Sequence, residues 1–171
     1  MLQSSIRDVD YGDRLRAGVL IPSGNPVAEP ELRAMLPPGC SMLVTRLPLR
    51  GSSKTELTHM IDRLEAASEL LADARVDVIV FHCTAVSTFA PDLARGIRER
   101  IEKASGIRCF TTADAILAAL SQLNAKRVSL LTPYIDEVHA RDGLARSQRH
   151  PGRRRCQSWH QYQYRYGQAA A

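Results

Sequence analysis

The side chain in this sequence best placed to do chemistry is a thiol. Cys83 lies in the segment FHCTAVS, directly after the apolar, β-branched run VDVIVF at 76–81. Such a run reads as a strand buried on both faces, so Cys83 falls where a strand ends and a helix begins. A thiol held there faces a cleft beside backbone N–H groups, which favour a thiolate and bind anions. A small buried hydrophobe is the other common use of a free cysteine, and position alone leaves both uses open. His82 precedes Cys83 and, on a strand, points to the opposite face. It is read as a packed or hydrogen-bonded histidine rather than as a base for the thiol. Thr84, Ser87 and Thr88 bring hydroxyls to the same turn, either for a ligand or to cap the following helix.

Two more polar side chains fall at comparable places. Asn25, in PSGNP, sits in a loop ahead of Pro26. Its amide can donate to a carboxylate, or it can serve as a turn residue, which is the commoner use before proline. Tyr134, in LLTPYIDEVH, opens a helix after an apolar strand, where a phenol either hydrogen-bonds an anion or covers the sheet end. The four cysteines, Cys40, Cys83, Cys109 and Cys156, show neither CxxC spacing nor a cysteine–histidine pairing of metal type. No metal site is expected, and Cys40 and Cys109 read as packing. Neither a P-loop nor GxGxxG occurs, so no nucleotide cofactor is expected either. If Cys83 is the reactive thiol, an alkylating reagent should reach it ahead of Cys40 and Cys109.

The elements that must hold these residues alternate. Leu15–Ile21 is a short apolar strand ending at Pro22, and a short helix is expected from Pro30 to just before Pro37. Ser41–Leu47 alternates as a strand. Glu56–Ala74 reads as one long helix, with Leu57, Met60, Ile61, Leu64, Ala67 and Leu71 at spacings of three and four. A strand over 76–81, a helix over about Pro91–Ser105 with Gly106 as its stop, a strand at Ile107–Thr111 and a helix at Ala113–Leu123 follow. Val128–Leu131 is another apolar strand, and Thr132–Pro133 a good helix start. Repeated β–α units mean a parallel sheet flanked by helices, an α/β fold whose ligands gather at the strand ends.

Charge sorts the chain into a body and a tail. From Arg141 to Ala171 there are seven Arg and one Asp, a net of +6. Subtracting from 23 Lys+Arg and 18 Asp+Glu leaves 16 and 17 in residues 1–140, a net of −1. The basic pI near 9.3 therefore describes the tail and gives no nucleic-acid surface on the body. After Arg141 the periodicity stops, and the remainder has one Leu and no Val, Ile, Met or Phe. Residues 142–171 thus read as an irregular basic tail of frameshift-like character rather than a continuation of the fold. Met1–Asp13 has no apolar core, so no signal peptide is expected, and no apolar run approaches the about 18 residues of a membrane helix. Free thiols and no targeting segment place the chain in the cytoplasm, with no membrane partner.

Three segments, GVLIPSGNPVAEPE, VDVIVFHCTAVS and KRVSLLTPYIDEVHAR, taken in this order resemble one family. They are similar to maleate cis–trans isomerases and arylmalonate decarboxylases of the aspartate/glutamate racemase superfamily, and CFTTADAILAAL resembles the segment between that family's two halves. The resemblance spans about residues 15–141. It implies a two-lobed racemase-like fold without a cofactor: 14–111 as the first lobe, 112–141 as the start of a second lobe that is then truncated. By resemblance, Cys83 matches the cysteine that maleate isomerases use as nucleophile. Asn25 and Tyr134 match positions that bind substrate carboxylates, and Thr84 matches a dioxyanion-hole residue of the decarboxylases. The decarboxylases carry glycine in place of Cys83 and serine in place of Ala85, so this chain resembles the isomerase or racemase type more closely. The function implied is isomerisation of a small dicarboxylate through a cysteine nucleophile. The alternatives are an arylmalonate decarboxylase-like or Asp/Glu racemase-like enzyme, or an inactive truncated fragment. A homo-oligomer is left open.

Overall fold

The computed structural model describes residues 9–49, 54–89 and 91–125. They form β1 (Leu15–Pro22), α1 (Ala28–Met35), β2 (Cys40–Leu47), α2 (Lys54–Ile61), α3 (Leu64–Asp73), β3 (Val78–Phe81), α4 (Thr84–Phe89), α5 (Pro91–Ser105), β4 (Cys109–Thr111) and α6 (Thr112–Gln122). Every strand pairing is parallel, and the sheet runs in the order β2-β1-β3-β4. The α/β architecture expected from the alternating elements is the one found.

That order fixes the layers. The chain steps one way from β1 to β2, then the other way from β2 to β3 and from β3 to β4. Right-handed crossovers put α1 on one face of the sheet and α3 with α5 on the other. The core divides to match. Leu20, Leu47, Ile79 and Phe81 pack with Met60, Leu64, Leu71, Ile97 and Ile101. Val19, Ile21 and Met42 pack with Ala28 and, less deeply, Leu32. Consecutive residues Val19, Leu20 and Ile21 are all buried although they face alternate sides. A central strand covered on both faces needs this continuous apolar run. Gly18 sits where α3 comes closest. A Cβ there would stand 2.9 Å from Val76 Cγ2 and 3.1 Å from Leu71 Cδ1.

All four strands open in the same way. A residue of positive φ stands just ahead of each: Gly12 (φ 78), Gly39 (φ 82), Arg75 (φ 54) and Gly106 (φ 70). A left-handed residue ends the preceding segment and turns the chain back toward the sheet, the usual place for glycine after a helix. Gly106 N–H, for example, returns to the Glu102 carbonyl (2.9 Å) as α5 stops. Arg75 adopts this conformation without being glycine.

The structure departs from the expected elements in three places. Helix α1 starts at Ala28 rather than at Pro30, which leaves the proline in the first turn, where its missing N–H would have no helical partner anyway. The single helix expected over Glu56–Ala74 is two, because the ladder breaks at Asp62–Arg63. Met60 and Leu64, four apart across the break, are both fully buried, so the apolar period survives although the hydrogen bonds do not. Arg100 of α5 meets this break. Its Nη2 donates to the Ile61 carbonyl (3.0 Å), and its Nε and Nη2 fork onto the two Glu65 oxygens (2.5 and 2.7 Å). The third departure is α4, a separate six-residue helix too short to show a period. Val128–Leu131, Thr132–Pro133 and residues 142–171 lie outside the described residues.

The Arg100 guanidinium holds the Glu65 carboxyl below the usual carboxylate range. Its stabilising effect is therefore complete above the ordinary glutamate value of about 4.3 and is lost as pH falls through the lower folded value. Both side chains are more than a third exposed, so solvent screens much of the pair. Arg100→Ala should cost about 1 kcal/mol at neutral pH and less in acid. Urea titrations of both proteins at pH 7 and pH 3 check this, and an equal loss at both would remove the ionic reading.

Candidate functional site

Strands β1 and β3 are neighbours, with Leu20 paired to Phe81 near their C-terminal ends. The sheet order reverses between them, and at such a switch point the loops leaving the two strands diverge to opposite faces and open a crevice. The Ser23–Asn25 loop leaves β1 there, and His82, Cys83 and Thr84 leave β3. Asn25, Cys83 and Thr84 therefore stand at the same end of adjacent strands. Tyr134 lies outside the described residues, and so does the side chain of Thr88.

The β1–α1 loop is held firmly. Ser23 N–H donates to the Leu47 carbonyl (2.7 Å), Gly24 N–H to the Leu49 carbonyl (3.2 Å) and Asn25 N–H to the Pro22 carbonyl (3.0 Å). Ser23 Oγ accepts from Leu49 N–H at 3.0 Å. Asn25 Oδ1 accepts from the N–H groups of Val27 (3.1 Å) and Ala28 (3.0 Å), which opens α1. The two readings of Asn25 are thus compatible. Its carbonyl oxygen accepts from the N–H groups of Val27 and Ala28 where α1 begins, and these bonds fix the rotamer of the amide that also carries the NH₂. The backbone donors of residues 23–25 are consumed within the fold, which makes the Asn25 amide nitrogen the candidate donor of this loop for an anion.

Cys83 is 6% exposed and packs in the cluster of Leu20, Phe81 and Val86. Burial pushes its thiol up from the ordinary value, and the backbone N–H of Val86 pulls the other way. Cys109 is buried too, its thiol raised to about 12, first by burial and then by nearby Glu102. His82 goes to the other face, as alternation requires. Burial lowers its imidazole, opposed by Glu31 of α1, so it is neutral near pH 7 and turned away from Cys83. Ser87 proves structural. Its N–H donates to the Cys83 carbonyl (3.0 Å) and its hydroxyl to the Thr84 carbonyl (3.3 Å), while Oγ accepts from Ala113 N–H (3.3 Å). Thr112 Oγ donates to the Phe81 carbonyl at 3.3 Å, tying the start of α6 to the end of β3. Helix α6 itself opens on a capping box between Thr111 and Asp114.

This burial corrects the alkylation order expected from sequence. Cys40 is only half-buried, so at neutral pH iodoacetamide should modify Cys40 first, Cys83 more slowly and Cys109 last. The Cys83 rate should climb with pH and keep climbing past the ordinary thiol value of about 8.5. Peptide mapping over a pH series checks both points, and a Cys83 rate that levels off below pH 8 contradicts the buried geometry.

Sequence reasoning missed Arg46 and Glu29. Arg46, at the C-terminal end of β2, pairs with Glu29 and reaches across to the β1–α1 loop. Its contacts lie 17 to 23 residues away along the chain, so no local pattern marks it. Among the described residues there is no cluster of His, Cys, Asp and Glu that could hold a metal, and no helix is long and apolar enough to cross a membrane.

A family model described as arylmalonate decarboxylase matches residues 17–148. The maleate isomerase of Nocardia farcinica is 32% identical over 134 residues, which is 70% of this chain and 52% of the relative. That of Pseudomonas putida is 28% identical over 133 residues, 70% of this chain and 53% of the relative. The chain spans about half the length of the curated relatives it matches. Among solved structures, the maleate isomerase of Pseudomonas putida S16 with maleate superposes with a TM-score of 0.61 at 26% identity, covering 74% of this chain and 56% of that one. A cysteine-to-serine mutant of Nocardia farcinica maleate cis–trans isomerase, with a covalently bound succinylcysteine intermediate, gives 0.65 at 25% identity, covering 74% and 56%. The matched span covers more than half of the chain and runs from within β1 past β4, so it includes Asn25, Cys83 and Thr84, and on that ground this chain belongs to the arylmalonate decarboxylase family.

Proposed function

We propose that this chain carries the nucleophile-bearing part of a cis–trans isomerase acting on a small dicarboxylate of the maleate type. The observation that carries the reading is Cys83 at the C-terminal end of β3, beside the β1 end that presents Asn25. In the proposed reaction, the Cys83 thiolate adds to one alkene carbon and the π electrons move onto the neighbouring carbon and its carboxylate. The former double bond, now single, rotates. The electron pair then returns, the C–S bond breaks and the trans dicarboxylate leaves with the thiolate restored. The Asn25 amide, Tyr134 and N–H groups near Thr84 hold the carboxylates and the charge that develops on them. Such a cycle needs no organic cofactor or metal. The covalent succinylcysteine trapped in the Nocardia farcinica enzyme supports a sulfur adduct for that relative, and likeness to two maleate isomerases over the same span supports carrying the chemistry here.

Decarboxylation of an arylmalonate is the second reading, favoured by the family model that matches the chain. Proton NMR of maleate and of phenylmalonate, each incubated with the protein, separates the two. Fumarate from maleate, with phenylmalonate untouched, is the expected result. Loss of CO₂ from phenylmalonate with maleate unchanged reverses the assignment.

A further inference from the structure

Arg46 lies on β2 level with Ile21 of β1, yet its guanidinium serves the loop beyond β1. Nη1 donates to the carbonyl oxygens of Ser23 (3.2 Å) and Asn25 (3.0 Å), and Nη2 donates to Glu29 Oε1 (2.5 Å) on α1. One planar group therefore joins three pieces of chain: the strand β2, the backbone of the loop, and the helix α1 that follows it. From these contacts we infer that Arg46 is a positioning residue for the dicarboxylate site, acting through Asn25. The inference rests on Asn25 being a carboxylate-binding residue.

Two features separate this role from direct substrate binding. Arg46 spends its charge on Glu29, so the pair offers an approaching dianion little net positive charge. Its Nη1 points at two backbone carbonyls of the loop, one of them belonging to Asn25 itself. Asn25 is thereby fixed at both ends. Its main-chain carbonyl is held by Arg46, and its side-chain oxygen by the first N–H groups of α1. These bonds restrict the side-chain torsions that set where its NH₂ stands. A flexible ammonium cannot replace this, because a planar fork reaches two acceptors on one side and a carboxylate on the other at once.

The test uses the full chain with maleate as probe, its affinity read by titration calorimetry and by the protection it gives Cys83 against iodoacetamide. Arg46→Ala and Asn25→Ala are each expected to weaken maleate on the order of tenfold, the scale of one lost hydrogen bond to a charged group. The double variant should be no weaker than Asn25→Ala alone, and Arg46→Lys should recover only part of the loss. The alkylation rate of Cys83 without maleate should be unchanged in all of them. If Arg46→Ala fails to fold, the Arg46→Lys result decides, and full affinity in that variant overturns the inference. Additive losses would mean that Arg46 meets the ligand directly and overturn it as well. An Asn25→Ala effect with none from Arg46→Ala or Arg46→Lys defeats this inference but spares the reading beneath it. No effect from Asn25→Ala, or no maleate binding by the parent chain, removes both.

Discussion

If the proposed function holds, replacement of Cys83 by serine is expected to abolish maleate isomerisation, with kcat falling by at least about a thousandfold. A serine hydroxyl is of similar size, so the packing among Leu20, Phe81 and Val86 should survive and the melting temperature should shift little. On the proposed mechanism what disappears is the nucleophile, because an alcohol at neutral pH supplies almost no anion. The parent's own rate should depend on pH in a way set by its burial. Burial raises the thiol, so the reactive thiolate is a minor species near neutrality, and the rate should rise nearly tenfold per pH unit up to the raised pKa. Intact-mass spectrometry after quenching with acid gives a second readout, an adduct of maleate on the parent and none on the variant. Residual turnover above about a tenth of the parent's, or an adduct mapped to Cys40, would end the assignment of Cys83 as nucleophile.

The largest effect on stability should come from Phe81→Ala. Phe81 is fully buried on the α3–α5 face of the sheet, next to the centre of the larger core, and its removal leaves a void that neighbouring helices can only partly fill. Such a change typically costs about 3 to 5 kcal/mol, against a total that for a domain of this size is about 5 to 15. The variant is expected to be largely unfolded at 37 °C or to show a midpoint in urea lowered by 1 M or more, taking a slope of about 1–3 kcal/mol per M. Phe81→Leu should lose far less. A loss under about 1 kcal/mol in Phe81→Ala, by urea titration, would mean that the sheet and helices close over the gap and that the core is not packed as described.

The parts legible in the sequence were those with a local cause. The strand VIVF at β3 announces itself as consecutive β-branched and aromatic residues, and α5 by its period and its glycine stop, so both were found close to their limits. Cys83 could be singled out because a thiol directly after a buried strand is a position visible in one dimension. The rest depends on residues that meet only in the fold. Nothing in Asp62–Arg63 announces the break between α2 and α3, since no proline or glycine is there and the ligand of the freed Ile61 carbonyl, Arg100, comes from 39 residues later. Cys83's burial is also a tertiary fact, since the cluster it joins includes Leu20 of β1 and residues of α3 and α5 far from it along the chain. Asn25 was open between two roles because sequence cannot divide a carboxamide into its oxygen and its nitrogen, whereas the fold assigns the oxygen to α1.

The four left-handed residues that open the strands all lie at the rim of the sheet opposite Asn25, Cys83 and Thr84. Structural punctuation and candidate chemistry are thus kept at opposite poles of the molecule. Variation can accumulate on either rim with little cross-talk. Lengthening the turn at Arg75, inserting a fluorescent reporter there, or cutting and rejoining the chain at that point would tax only foldability. Exchanging the loops at the other pole would change the candidate site while the sheet stays as it is.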